Sequence, residues 1–73
     1  MANILILGID PGTRITGYGL IDADQRAIDF GCIRPPPTLQ LAQRYKIIFD
    51  GIERLIEKHQ PTAIAVESQF VLK

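Results

Sequence analysis

The chain has 73 residues, 47% of them hydrophobic and 22% charged, which excludes a disordered polar segment and allows one small domain at most. Eight basic residues balance eight acidic ones, so no overall cationic field draws in nucleic acid, although a local basic patch is compatible with zero net charge. The single cysteine, Cys32, excludes an internal disulfide and suits a reducing compartment; with no visible secretory leader and no apolar run of membrane-spanning length, the sequence reads as cytoplasmic.

The first element is an apolar run, Ile4 to Ile9, that ends in Asp10. Both parities are apolar, Ile4 and Ile6 on one side and Leu5, Leu7 and Ile9 on the other, which predicts a central strand covered on both faces. Asp10 shares its face with Ile4, Ile6 and Gly8, because side chains alternate along a strand. Pro11-Gly12 then predicts a type II turn with Gly12 at positive φ. An acid at the C-terminal end of such a strand, among small groups, is placed for metal binding or catalysis. The plainer alternative is that Asp10 serves the turn, its carboxylate bonding to nearby backbone N–H groups.

Ile15 to Asp22 predicts a second strand in which Gly17 and Gly19 share one face and Thr16, Tyr18 and Leu20 the other. Glycines inside a strand cost stability and often mark the close approach of another backbone or a ligand. Asp22-Ala23-Asp24-Gln25 predicts a hairpin loop, and Arg26 to Arg34 a third strand carrying Ile28, Phe30 and Cys32 on one face, with Cys32 as a small core residue. The three strands form an antiparallel meander, closed by Pro35-Pro36-Pro37 as a stiff spacer.

Thr38 is placed to cap a helix whose apolar stripe is Leu41, Tyr45, Ile48, Ile52, Leu55 and Ile56. Asp50 and Arg54 are spaced for an ion pair one turn apart, and Gly51 is unfavourable unless packing needs its small size. Lys58 and His59 suit the negative end of the helix, which Pro61 prevents from continuing. His59 reads as a solvated helix-end residue rather than a ligand. A fourth strand, Thr62 to Glu67, is apolar on both faces and again ends in a carboxylate. Ser68 to Lys73 bring no closing turn or cap, so the sequence reads as a domain cut in its middle.

A helix between the third and fourth strands is a crossover, which lets the fourth strand lie parallel to the first. If the two are neighbours, Asp10 and Glu67 project from one edge of an α/β sheet. Adjacent carboxylates repel unless a cation or a proton lies between them, and oxygen ligands of this kind suit Mg²⁺. Two such ions about 3.5–4 Å apart can hold an attacking water and a leaving oxygen on one phosphodiester. The alternative is that the two acids are unrelated strand terminators. Phe70, just past the last strand, is either a core plug or a platform on which an unpaired base stacks, and Arg14 is either a solvated loop residue or a phosphate contact.

Gly8-Ile9-Asp10-Pro11-Gly12-Thr13-Arg14 followed by Thr16-Gly17-Tyr18-Gly19 resembles the opening of the RuvC family of Holliday-junction resolvases. Gly31-Cys32-Ile33-Arg34 is similar to its third strand, and Pro61 with Ala63-Ile64-Ala65-Val66-Glu67-Ser68-Gln69-Phe70 to its fourth strand and the exit from it. The resemblance implies an RNase H-like mixed sheet with helices on both faces, of which residues 1–73 are the N-terminal part of a single nuclease domain. It implies a homodimeric, Mg²⁺-dependent endonuclease of DNA recombination and repair that cuts two opposed strands of a four-way junction and works with the RuvA–RuvB branch-migration complex. Asp10 and Glu67 match the first two of the family's four catalytic carboxylates, and Phe70 the aromatic residue that contacts bases near the crossover. The other two acids lie in a C-terminal helix with no counterpart in this sequence. Gly-Ile-Asp-Pro-Gly-Thr also resembles the phosphate-binding hairpin of the actin, sugar-kinase and Hsp70 ATPase superfamily, in which Asp10 would hold Mg²⁺ and the Gly12-Thr13 turn would cradle nucleotide phosphates.

Overall fold

A computed structural model describes residues 4–67. The elements run β1 (Leu5–Asp10), β2 (Thr16–Asp22), β3 (Ala27–Ile33), α1 (Leu41–His59) and β4 (Ala63–Val66). They build one four-stranded sheet in the order β3-β2-β1-β4. The meander is antiparallel throughout, and β4 lies parallel to β1 after the helical crossover. This is the mixed α/β sheet expected from the apolar runs and their Gly and Pro punctuation.

The hairpin loop between β2 and β3 forms at the expected residues. Asp22 Oδ1 accepts the backbone N–H groups of Asp24 and Arg26, each at 2.9 Å. Gln25 closes the turn at φ 63°, a left-handed conformation that suits glycine better. Gln25→Gly is therefore expected to raise unfolding stability by several tenths to about 1 kcal/mol, as thermal melting would measure. The strand pairing slips between Leu20 and Ile21, where Ile28 is the extra residue of a bulge.

The core lies on one face of the sheet. Leu7, Ile9 and Leu20 are buried, and Leu5, Tyr18, Ile52, Leu55 and Ile56 pack against them. The C-terminal half of the predicted helical stripe thus meets the sheet. At its N-terminal half Ile48 is buried, whereas Leu41 and Tyr45 are about half exposed. Gly51 belongs to this packing: a Cβ there would come within 2.7 Å of Ile33 Cδ1, so the helix backbone lies close over the end of β3.

Several local expectations are corrected. Thr38 does not cap the helix. It sits in a turn that the proline run imposes, closed by the Leu39 N–H to the Pro36 carbonyl at 3.2 Å, and the cap passes to Gln40. There the Gln43 side chain reaches back to the Gln40 N–H at 3.1 Å. Asp50 pairs with Lys46, one turn earlier, at 2.8 Å rather than with Arg54, and this contact raises the Lys46 pKa. His59 is not solvated: its Nε2 lies 3.0 Å from Asp29 Oδ2 with only 15% of its side chain exposed, because the crossover brings the helix end down beside the start of β3.

Cover on both faces of β1 and β4 is also corrected for the described residues. The helix covers the Leu5–Leu7–Ile9 side, but Asp10 and all four residues of β4 are exposed. Cys32 is exposed rather than in the core, and Phe30 is 76% exposed, because both lie on the open side of the sheet. Among the described residues no helix is long and apolar enough to cross a membrane.

Candidate active site at the sheet edge

β1, β3 and β4 all run in one direction, so their C-terminal ends share one edge of the sheet. The register pairs Ile9 with Val66, and the Glu67 N–H donates to the Ile9 carbonyl at 3.0 Å. One step further along, Asp10 and Glu67 stand side by side on neighbouring strands about 4.8 Å apart. On its other flank Asp10 faces Gly17 of β2. The two acids expected from opposite ends of the sequence are therefore brought together, on the face away from the helix.

That face forms a shallow groove. Gly8, Gly17, Gly19 and Ala65 make its floor, Phe30 and Cys32 one wall, and Asp10 and Glu67 its acidic end. Among the described residues no atom beyond Gly19 and its chain neighbours lies within 4 Å of where a Gly19 side chain would begin, and a Cβ on Gly17 would only touch Asp10 Cβ at 3.9 Å. These strand glycines are not forced by backbone crowding among the described residues. Their effect is a low floor that lets a bulky ligand approach the acids.

The loop that carries Asp10 into solution is not the type II turn that Pro-Gly predicts. No glycine among the described residues has positive φ. Gly12 is needed for space instead, since a Cβ would run into the Ile15 carbonyl oxygen. The close approach is held by Thr16, fully buried, whose hydroxyl donates to the Gly12 carbonyl at 2.9 Å and accepts the Gly12 N–H at 3.2 Å. Thr16 is a positioning residue that the sequence reading passed over. Its signal was a threonine four residues after the glycine.

Other aspartates show what structural duty looks like. Asp22 organises the hairpin, Asp29 holds the Phe30 N–H and His59, and Asp50 pairs with Lys46. No protein hydrogen bond or ion pair reaches the carboxylate of Asp10 or of Glu67 among the described residues. Asp10 is therefore not doing turn chemistry. Two adjacent carboxylates without a protein cation fit a hard divalent ion such as Mg²⁺, as part of its shell, with water and phosphate oxygens completing it. The described residues bring no third Asp, Glu, His or Cys to them.

Arg14 lies in the loop after Pro11-Gly12 and lines a second cleft with Thr13, Arg34 and Arg44. Phe70 lies outside the described residues.

A sequence model described as "Crossover junction endodeoxyribonuclease RuvC" matches residues 6–73. A protein of that name from Protochlamydia amoebophila is 49% identical over 77 residues, covering 100% of this chain and 46% of its own length. Its namesake from Legionella pneumophila (strain Lens) is 46% identical over 70 residues, covering 92% of this chain and 40% of its own. The chain thus spans less than half the length of these relatives. The solved structure "T. thermophilus RuvC in complex with Holliday junction substrate" superimposes with a TM-score of 0.85 at 24% identity, over 96% of this chain and 45% of that one. A second Thermus thermophilus RuvC structure gives 0.81 at 23% identity. These likenesses establish the RNase H-like fold, and the sequence match selects the resolvase over the ATPase superfamily. With a family match over residues 6–73 and relatives at 46–49% identity, the chain belongs to the RuvC family of crossover junction endodeoxyribonucleases.

Proposed function

We propose that the protein is a Mg²⁺-dependent endonuclease that resolves four-way DNA junctions in recombination and repair. The observation that carries this reading is the pairing of Asp10 and Glu67, in register at the end of a glycine-floored groove, with carboxylates that have no partner among the described residues. Asp10 and Glu67 would hold the metal, which would supply charge neutralisation at the phosphate and activation of a water. Gly8, Gly17 and Gly19 keep the floor of the groove low, so that a phosphodiester backbone reaches the acids without displacing the sheet. Thr16 and Gly12 fix the loop on which Asp10 depends. Arg14 contacts a backbone phosphate, and Phe70 stacks on a base at the crossover, which orients the strand rather than reacting with it.

In this reading residues 1–73 are the N-terminal part of a single RNase H-like nuclease domain, and two further acids complete the metal site. The active species is a homodimer, since paired cuts need two sites, and it acts in the bacterial cytoplasm alongside the RuvA–RuvB branch-migration complex.

The test is incubation of the full-length protein with a synthetic four-way junction in Mg²⁺. Paired nicks at opposed positions are expected, with a linear duplex of the same sequence left intact. Equal cutting of junction and duplex, or no cutting of either, would overturn the proposal. The 73-residue chain alone is expected to cut neither, because it lacks two of the acids that the family's site requires.

A further inference from the structure

The second cleft at the same sheet edge collects three arginines from three separate segments. Arg14 comes from the β1–β2 loop, Arg34 from the exit of β3 and Arg44 from the first turns of α1. Thr13, Ile15, Pro35 and Pro37 complete the lining, and among the described residues no acidic one belongs to it. Neither Arg14 nor Arg34 takes part in an ion pair among the described residues.

Arg44 is the informative member. A cation near a helix N-terminus is opposed by the positive end of the helix dipole. No acidic residue in that first turn offsets it. Arg44 is nonetheless held firmly in place: its Nε donates to the Leu39 carbonyl at 2.9 Å and its Nη2 to the Pro37 carbonyl at 2.6 Å. Those bonds fix one edge of the guanidinium. Pro35, buried beside it, stiffens the backbone directly after Arg34. Three like charges, a helix N-terminus and no acid make this cleft a place where the protein is electrostatically unfavourable alone and complementary to an anion.

Resting on the proposed function, we infer that Arg14, Arg34 and Arg44 form a phosphate clamp that grips the DNA backbone away from the cut. The occupant is a phosphodiester of the nucleic acid, because the clamp lies on the sheet edge that also bears Asp10 and Glu67. A strand lying across that edge meets the acids from the groove side and the arginines from the helix side. Planar guanidinium forks suit phosphate oxygens, and such contacts position a duplex without reading its sequence. The clamp thus sets the register of the scissile phosphate over the acids.

The experiment measures binding of the full-length protein in Ca²⁺ across a salt series, to a four-way junction and to a plain duplex. The variants are Arg14→Ala/Arg34→Ala and Arg14→Lys/Arg34→Lys. Arg44 is left intact because its carbonyl bonds also hold the helix start. Loss of two phosphate contacts is expected to lower the slope of log affinity against log salt by about 2 on both DNAs, while the lysine pair keeps the wild-type slope. A slope that falls on both DNAs in a protein that never cuts junctions would support the clamp and refute the proposed function. A slope unchanged by the alanine pair on both DNAs would overturn the clamp, whatever the cleavage activity. An equal loss of slope in the lysine pair would also overturn it, by assigning the effect to altered structure rather than charge.

Discussion

Asp10→Asn and Glu67→Gln in the full-length protein are expected to lower junction cleavage by about 10²-fold or more each, with junction affinity retained. Both substitutions keep the side-chain shape and remove one negative charge from the pair that faces the groove. Neither carboxylate bonds to any other group of the described structure, so the change breaks no side-chain contact of the fold. Charge stabilisation at the reacting phosphate is what suffers, and removal of a single electrostatic contributor in an active site costs roughly 10²–10³ in rate. Affinity rests on phosphate contacts elsewhere, and relief of repulsion between the acids and the DNA backbone strengthens it if anything. Cleavage in Mg²⁺ and binding in Ca²⁺ separate the two effects. Near-wild-type cutting by either variant would remove that acid from the site. Unfolding of either variant at wild-type salt would show instead that the acid has a structural partner.

The second large effect is expected at Gly12. A methyl group there meets the Ile15 carbonyl oxygen, a backbone atom that cannot swing away as a side chain would. The loop after Asp10 must then open, breaking one or both bonds between Gly12 and Thr16. A displacement of roughly 1 Å in a reacting group costs about 10²-fold in rate, so Gly12→Ala is expected to cripple cleavage while Asp10 and Glu67 remain chemically intact. Thr16→Val attacks the same strut from its other end. It leaves the Gly12 N–H and carbonyl without their partner and is expected to cost about 1–3 kcal/mol of stability. The two variants should fail alike in cleavage, and chemical denaturation should show a loss in Thr16→Val even without DNA. Full activity in Gly12→Ala would mean that the loop tolerates rebuilding and does not position Asp10.

Much of this could be read from residue order because it depends on short-range signals. Apolar runs with Gly and Pro boundaries marked the four strands, and the length of the helical stripe marked the crossover. Once the crossover was granted, the parallel neighbour relation of β1 and β4 brought Asp10 beside Glu67 without further information. What escaped detection depends on contacts between distant segments. The requirement for Gly12 comes from the Ile15 carbonyl folding back on it, not from its own φ. The His59–Asp29 contact joins residues thirty apart and depends on how steeply the helix descends across β3. The exposure of Phe30 and Cys32 reflects which side of the sheet the helix covers, a choice that alternation alone does not make. The arginine cleft draws on three segments whose meeting no local pattern announces.

Asp10 and Glu67 are expected to hold one metal site between them. Substitution of Fe²⁺ for Mg²⁺ in the full-length protein, followed by ascorbate and peroxide, tests it directly, since radicals formed at the bound iron cut the nearest backbone. Cuts near residue 10 and near residue 67 are expected, beside any at the further acids of the site, all suppressed by excess Mg²⁺ and lost together in Asp10→Asn. A cut at only one of these positions, or cuts elsewhere with both segments untouched, would contradict the shared site.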